Sequence, residues 1–139
     1  MTNTQNLPSE EDEAKLAAQF KAICLRLWGE KKGSELHHWI VTNRSRYFHY
    51  KSMQIMVPIW EMDRVDLKTK ILCCISLFAG MAREEVEFFM LMAAHHGIAQ
   101  EDVEEVLLLI GLEAGFPTAE KAIITLQRVY AEVAGSAQD

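Results

Sequence analysis

Two groups of side chains in this 139-residue chain are of types that hold an acid or move a proton. The first is basic. Residues 34–51 hold three Lys/Arg and three His against one Glu, a basic locus in a chain of net charge −6. Arginine grips a carboxylate through two parallel N–H bonds. Imidazole exchanges a proton near neutral pH. Arg44, Arg46 and His38 therefore read as a clamp for a small organic acid, with His49 as its proton handler. The plainer reading is a solvated face or a subunit contact. The second group, Glu84, Glu85 and Glu87, is acidic. Carboxylates there suit the positive end of a helix. A carboxyl pressed against Phe88 and Phe89 would instead have its pKa raised, as a general acid or base requires.

Other reactive types carry less. His95 and His96 precede Gly97, where a partial positive charge suits a helix C-terminus. No His pair at i, i+4 and no His–carboxylate spacing of a known metal motif occurs, so no metal and no cofactor is implied. The cysteines, Cys24, Cys73 and Cys74, are odd in number and form no C-x-x-C. That suits free thiols in a reducing compartment. Cys73 and Cys74 lie about 100° apart on a helix and cannot share one face; both read as small core residues.

Helices must position these groups. Ser9 and Asp12 resemble a capping box. The run Leu16, Ala17, Phe20, Ile23, Cys24, Leu27 and Trp28 has helical spacing. Lys31, Lys32 and Gly33 then read as a basic last turn and a glycine stop. Ser34 reads as the cap of a second helix through Lys51, with Leu36, Ile40 and Tyr47 on one side. His38, Thr42, Ser45 and His49 form a polar stripe on it. Met53–Trp60 is helical or extended, and Pro58 predicts a kink or break. Asp66 caps a fourth helix that buries Ile71, Cys74, Ile75 and Phe78 and ends at Gly80. A fifth turns Val86, Phe89, Met90 and Ala93 inward and stops at Gly97. A sixth starts near Gln100, with Val103, Val106, Leu107 and Ile110 as its stripe. Small residues at Gly111, Ala114 and Gly115 admit a close neighbour. Pro117 suits the first turn of the last helix. No alternating strand pattern occurs. The expectation is an all-α bundle of six to seven helices, one domain over 9–134, with disordered tails at 1–8 and 135–139.

Composition limits the function. Residues 66–139 carry five Lys/Arg against twelve Asp/Glu, and residues 1–65 nine against eight. An acidic helical half argues against nucleic acid and against an anionic membrane surface. No run of about 18 apolar residues predicts a membrane span. The polar, acidic start MTNTQNLPSEEDE lacks a secretory-signal pattern and argues against a transit peptide. A cytoplasmic protein is expected.

The segments DLKTK, the helix ending in HHGI, EDVEEVLL and AGFPTAEKA, from Asp66 onward, together resemble the carboxymuconolactone decarboxylase and alkyl hydroperoxidase D superfamily. Residues 1–65 match it only loosely. The resemblance implies a helical subunit assembled as a trimer or hexamer with sites at subunit contacts. It also implies C-x-x-C-x-x-x-H on the fifth helix of peroxidase members. That alignment puts Ala82 and Glu85 at the thiol positions and Phe89 at the histidine. The family's glutamate falls at Lys70 or Ile71. Thiol–disulfide chemistry needs a thiolate and a resolving partner, so peroxidase activity is not expected. Decarboxylase members keep the histidine, and a phenyl ring cannot replace it as acid or base.

Two functions follow. One is a cofactor-free lyase, decarboxylase or isomerase on a small organic acid or lactone. Arg46 holds the acid, with Arg44 and His38 beside it, and His49 or Glu85 moves the proton. The other is a non-catalytic homo-oligomer that binds a small apolar ligand in a pocket lined by Phe89, or a partner protein.

Overall fold

A side-chain cap opens three of the helices, and a glycine in the left-handed region closes three. Ser9 Oγ accepts from the Asp12 amide at 3.2 Å and starts α1, Glu10–Trp28. Gly29, at φ 85°, ends α1 and leads directly into α2, Glu30–Asn43. Only glycine takes that backbone without strain. Arg44 is extended, and Ser45 Oγ then accepts from the Phe48 amide at 3.2 Å to open α3, Arg46–Glu61. Asp66 accepts from the Thr69 amide at 2.8 Å and its hydroxyl at 2.9 Å, opening α4, Leu67–Gly80. Then come α5, Val86–His95, α6, Gln100–Ala114, and α7, Phe116–Ser136. Gly97 at φ 71° follows α5, and Gly115 at φ 101° separates α6 from α7. This computed structural model describes residues 8–137. Seven α-helices and no strand occur among them, so the chain is all-α as expected. No helix among them is long and apolar enough to cross a membrane.

The chain divides into two compact units, the first ending at Met62 and the second beginning at Asp63. In the first, α1 packs against both α2 and α3. Its core is Phe20, Ile23, Cys24 and Leu27 from α1, Ile40 from α2, and Met53 and Val57 from α3. Arg26 of α1 donates to the Trp60 carbonyl at 3.0 Å, placing a cation at the negative end of α3. The tryptophans at 28, 39 and 60 sit one each on α1, α2 and α3. In the second unit α7 packs on α5 and α6, and α4 packs on α5, α6 and α7. Ile71, Ile75, Met90, Met92, Val103, Leu107, Leu126 and Val129 are fully buried there. Tyr130 closes one side, its hydroxyl donating to the Ile98 carbonyl at 2.7 Å.

The first unit departs from the sequence expectation in several places. Gly33 does not stop a helix. It is buried inside α2, where an added Cβ would overlap the Cys24 carbonyl oxygen and lie 2.9 Å from Leu25 Cα. Glycine is there so that two helix backbones can touch. Ser34 caps nothing, because α2 has already begun at Glu30. The polar stripe does not form, since the chain breaks at Arg44 and Ser45 between His38 and His49. Pro58 does not end α3, which continues to Glu61. Proline's fixed φ is itself helical, and what it removes is one N–H bond.

Two further differences lie in the second unit. Cys73 is exposed and Cys74 only half-buried, because α4 turns Ile71, Ile75 and Ala79 inward. Cys73 falls midway between Ile71 and Ile75 and faces away. Helix α7 also runs through Gly135 to Ser136, into the expected C-terminal tail. The rest of the expected tails, 1–7 and 138–139, lies outside the described residues.

Candidate functional site

In the first unit the basic residues are held by neighbours within it. Arg46 Nε lies 3.0 Å from both carboxylate oxygens of Glu13, and Nη2 completes a bidentate pair. That bond holds Glu13 below the usual carboxylate value and raises Arg46. The surface beside it is an open groove floored by Ala14 and Ala17. Arg44 donates to Ser52 Oγ at 3.3 Å and lies over the Phe48 ring at 5.4 Å. His38 is exposed on α2. His49 is half-buried, its ring edge-on to Phe20 at 5.5 Å. Burial and then Arg44 push its pKa below the ordinary 6.5. His37 lies against the same ring at 5.8 Å. Sequence reading did not single it out, although the His37-His38 pair and the helical period put one of the two inward.

In the second unit Glu85 is the N-cap of α5, but not as an acid held neutral. Its carboxylate pairs with Arg83 at 2.7 and 3.3 Å, and this bond lowers its pKa instead of raising it. It is fully ionised near neutrality, so the raised value expected of a general acid does not arise. Phe89 is half-buried and stacks on Phe78, with centroids 5.1 Å apart and planes 13° from parallel. His95 and His96 meet edge-on at 5.0 Å at the end of α5. No group of three or more His, Cys, Asp and Glu among the described residues is placed to hold a metal ion.

A cavity of this unit lies between the α4–α5 connection and α7. It is a cleft of about 360 Å³, floored by Ala79, Val86 and Ala122. One wall is a stripe of α7: Thr118, Lys121, Thr125 and Arg128. Their spacing of three, four and three residues puts them on one helix face. The other wall carries Arg83, Glu84 and Glu87. Arg128 is paired with Glu87 at 2.9 Å and Glu132 at 3.3 Å, which raises its pKa. Lys121 forms no ion pair among the described residues. Ala82, at the rim, has φ 53°. A residue with a Cβ is strained there by about 1 kcal/mol.

Of the residues singled out from the sequence, Glu84, Glu87 and Ala82 line this cleft, the expected site residues Glu85 and Phe89 do not, and the α7 side was missed. The missed signal is the polar run at 118, 121, 125 and 128 beside the buried positions Ala119, Ala122, Leu126 and Val129. Chemically, the cleft offers the Lys121 ammonium and the Thr118 hydroxyl to a small anion, while the Thr125 hydroxyl donates to the Lys121 carbonyl at 3.4 Å. Of the cleft's carboxylates, Glu87 is paired with Arg128 and Glu84 is exposed to water. Set against family models, curated proteins and solved structures, the chain matches none of them.

Proposed function

We propose that the chain is a divergent relative of the carboxymuconolactone decarboxylase and alkyl hydroperoxidase D superfamily that binds a small organic acid in the α5–α7 cleft, without thiol chemistry. One observation carries the reading: Lys121, with no ion pair among the described residues, stands between Thr118 and Thr125 over an apolar floor. A carboxylate there takes a charge-assisted bond from the ammonium and a hydroxyl bond from Thr118, the Thr125 hydroxyl donating to the Lys121 carbonyl at 3.4 Å. Its apolar remainder rests on Ala79, Val86 and Ala122. The volume suits a compact ligand. Ala82 and Glu85, the positions the resemblance gives to thiols, lie at or next to the rim and offer no thiol.

Thermal shift and calorimetry with a panel of muconolactone-like acids test this. At least one acid is expected to raise the Tm of the wild type through binding to the folded state. Lys121→Ala is expected to weaken that acid by about tenfold or more, in line with a bond to a charged group. If no acid shifts the Tm, or if Lys121→Ala binds as tightly as the wild type, the cleft reading is lost.

A second reading, a cofactor-free lyase or isomerase on the same class of acid or lactone, rests on the same lysine. An ammonium beside the carbon that loses carbon dioxide stabilises the negative charge developing there and returns a proton to it. Carbon dioxide release or lactone turnover by the wild type separates it from simple binding.

Assembly of several copies, as a trimer or hexamer, belongs to this proposal. Leu108, Leu109 and Leu112 are 57%, 59% and 70% exposed along one face of α6. Such a stripe is costly to leave in water, and a second copy would cover it. Sedimentation at micromolar concentration is expected to show an oligomer that Leu112→Glu dissociates. A monomeric wild type contradicts the assembly.

A further inference from the structure

We propose that Phe20, His37 and His49 form a proton-sensitive clasp that loosens the α1–α3 unit as pH falls below neutrality. Phe20 is 1% exposed and belongs to α1. His37 of α2 and His49 of α3 both rest on its ring, at 5.8 and 5.5 Å. One aromatic side chain thus joins all three helices of the unit through two imidazoles.

The neutral rings fit this place and the charged rings do not. His49 Nδ1 is buried and has no hydrogen-bond partner among the described residues. A neutral imidazole can leave one nitrogen as a bare acceptor, whereas the imidazolium must place an N–H on both. The buried proton would then have no acceptor. The charges around the pair add to the penalty. Arg44, on the link between α2 and α3, acts against a charge on His49. Lys21 of α1, His49 of α3 and His38 of α2 act against a charge on His37. Glu13 of α1 is the acidic group facing His49, and both its oxygens are already held by Arg46 of α3 at 3.0 Å. Glu13 still favours a charge on His49, but burial and Arg44 outweigh it.

The direction with pH follows. Burial, ahead of the neighbouring cations, holds both imidazoles below the ordinary value of 6.5 in the folded chain. As pH falls through 6.5 the unfolded chain takes up protons before the folded one does. The unit's stability is complete above that value and drains away toward the lower folded values.

Hydrogen exchange on the full chain at pH 7.5 and 5.5, corrected for intrinsic rates, tests this together with an NMR titration of the imidazoles. Protection of amides in α1–α3 is expected to drop severalfold on acidification, while α4–α7 keeps its protection. His49→Phe, which suits an aromatic contact and cannot titrate, is expected to flatten that response, as is His37→Gln in part. The wild-type titration guards against a variant that fails to fold. A His49 imidazole titrating at or above 6.5 overturns the clasp. So does an equal loss of protection in both units, or an unchanged pH response in a folded His49→Phe.

Discussion

Gly33→Ala is expected to destabilise the first unit by about 2–3 kcal/mol, although alanine is the better helix former. The added methyl would overlap the Cys24 carbonyl oxygen and stand 2.8 Å from the Cys24 carbonyl carbon and 2.9 Å from Leu25 Cα. All three are backbone atoms and cannot rotate away. The helices must separate, and overpacking of this kind costs up to about 3 kcal/mol or more. Helix propensity returns at most about 1 kcal/mol. For a unit of this size the balance lowers the Tm by roughly 10–20 °C. Gly80→Ala is the control, because a Cβ there meets nothing within 4 Å. It should leave the Tm unchanged or raise it slightly. Equal melting of Gly33→Ala and the wild type would mean that α1 and α2 do not approach as closely as described.

Ile75→Ala is expected to cost about 2–5 kcal/mol in the second unit. Ile75 is 0% exposed and lies between Ile71 and Ala79 on the face of α4 that α5, α6 and α7 cover. Truncation removes most of a side chain from a close-packed centre, and the cavity collapses only partly. Urea unfolding followed by amide exchange reads the loss, which should appear first in α4–α7. Leu77→Ala, two residues away but 57% exposed, should cost less than about 1 kcal/mol. If both variants lose the same stability, the burial assigned to α4 is wrong.

The elements that local chemistry determines were readable from the chain. Asp66 had one apolar helical run after it and a threonine three residues on, and it is the cap of α4. Gly97 and the Gly115-Phe116-Pro117 step had no competitor nearby, and they bound α5, α6 and α7. The first unit had competitors. Gly29 and Gly33 both follow an apolar helical run, and lysines next to Gly33 made it look like the stop. What decided between them is the contact of Gly33 with the α1 backbone, which no local pattern encodes. Ser34 and Ser45 competed in the same way, and the choice fell to Ser45 because α2 ends at Asn43.

Little of the candidate site was legible: Glu84 and Glu87 line the cleft, whereas Glu85 and Phe89, the residues expected to act there, do not. Residues 82–87 stood out through resemblance and charge. That Glu85 is ionised was also within reach, since Arg83 is two residues away and makes the bond. The facing wall, some thirty to forty residues further along, was visible as a polar stripe on an amphipathic helix. Periodicity says which face a residue occupies, not what lies opposite it. Arg46 shows the reverse problem. Its guanidinium reads as available to a ligand until the fold brings Glu13 from α1 against it.

The placement of the three indole rings has an experimental use. All of them, at 28, 39 and 60, belong to the α1–α3 unit, and none to α4–α7. Intrinsic emission excited at the indole band is therefore a built-in optical reporter of half the molecule. Acidification or Gly33→Ala should change its colour and intensity directly.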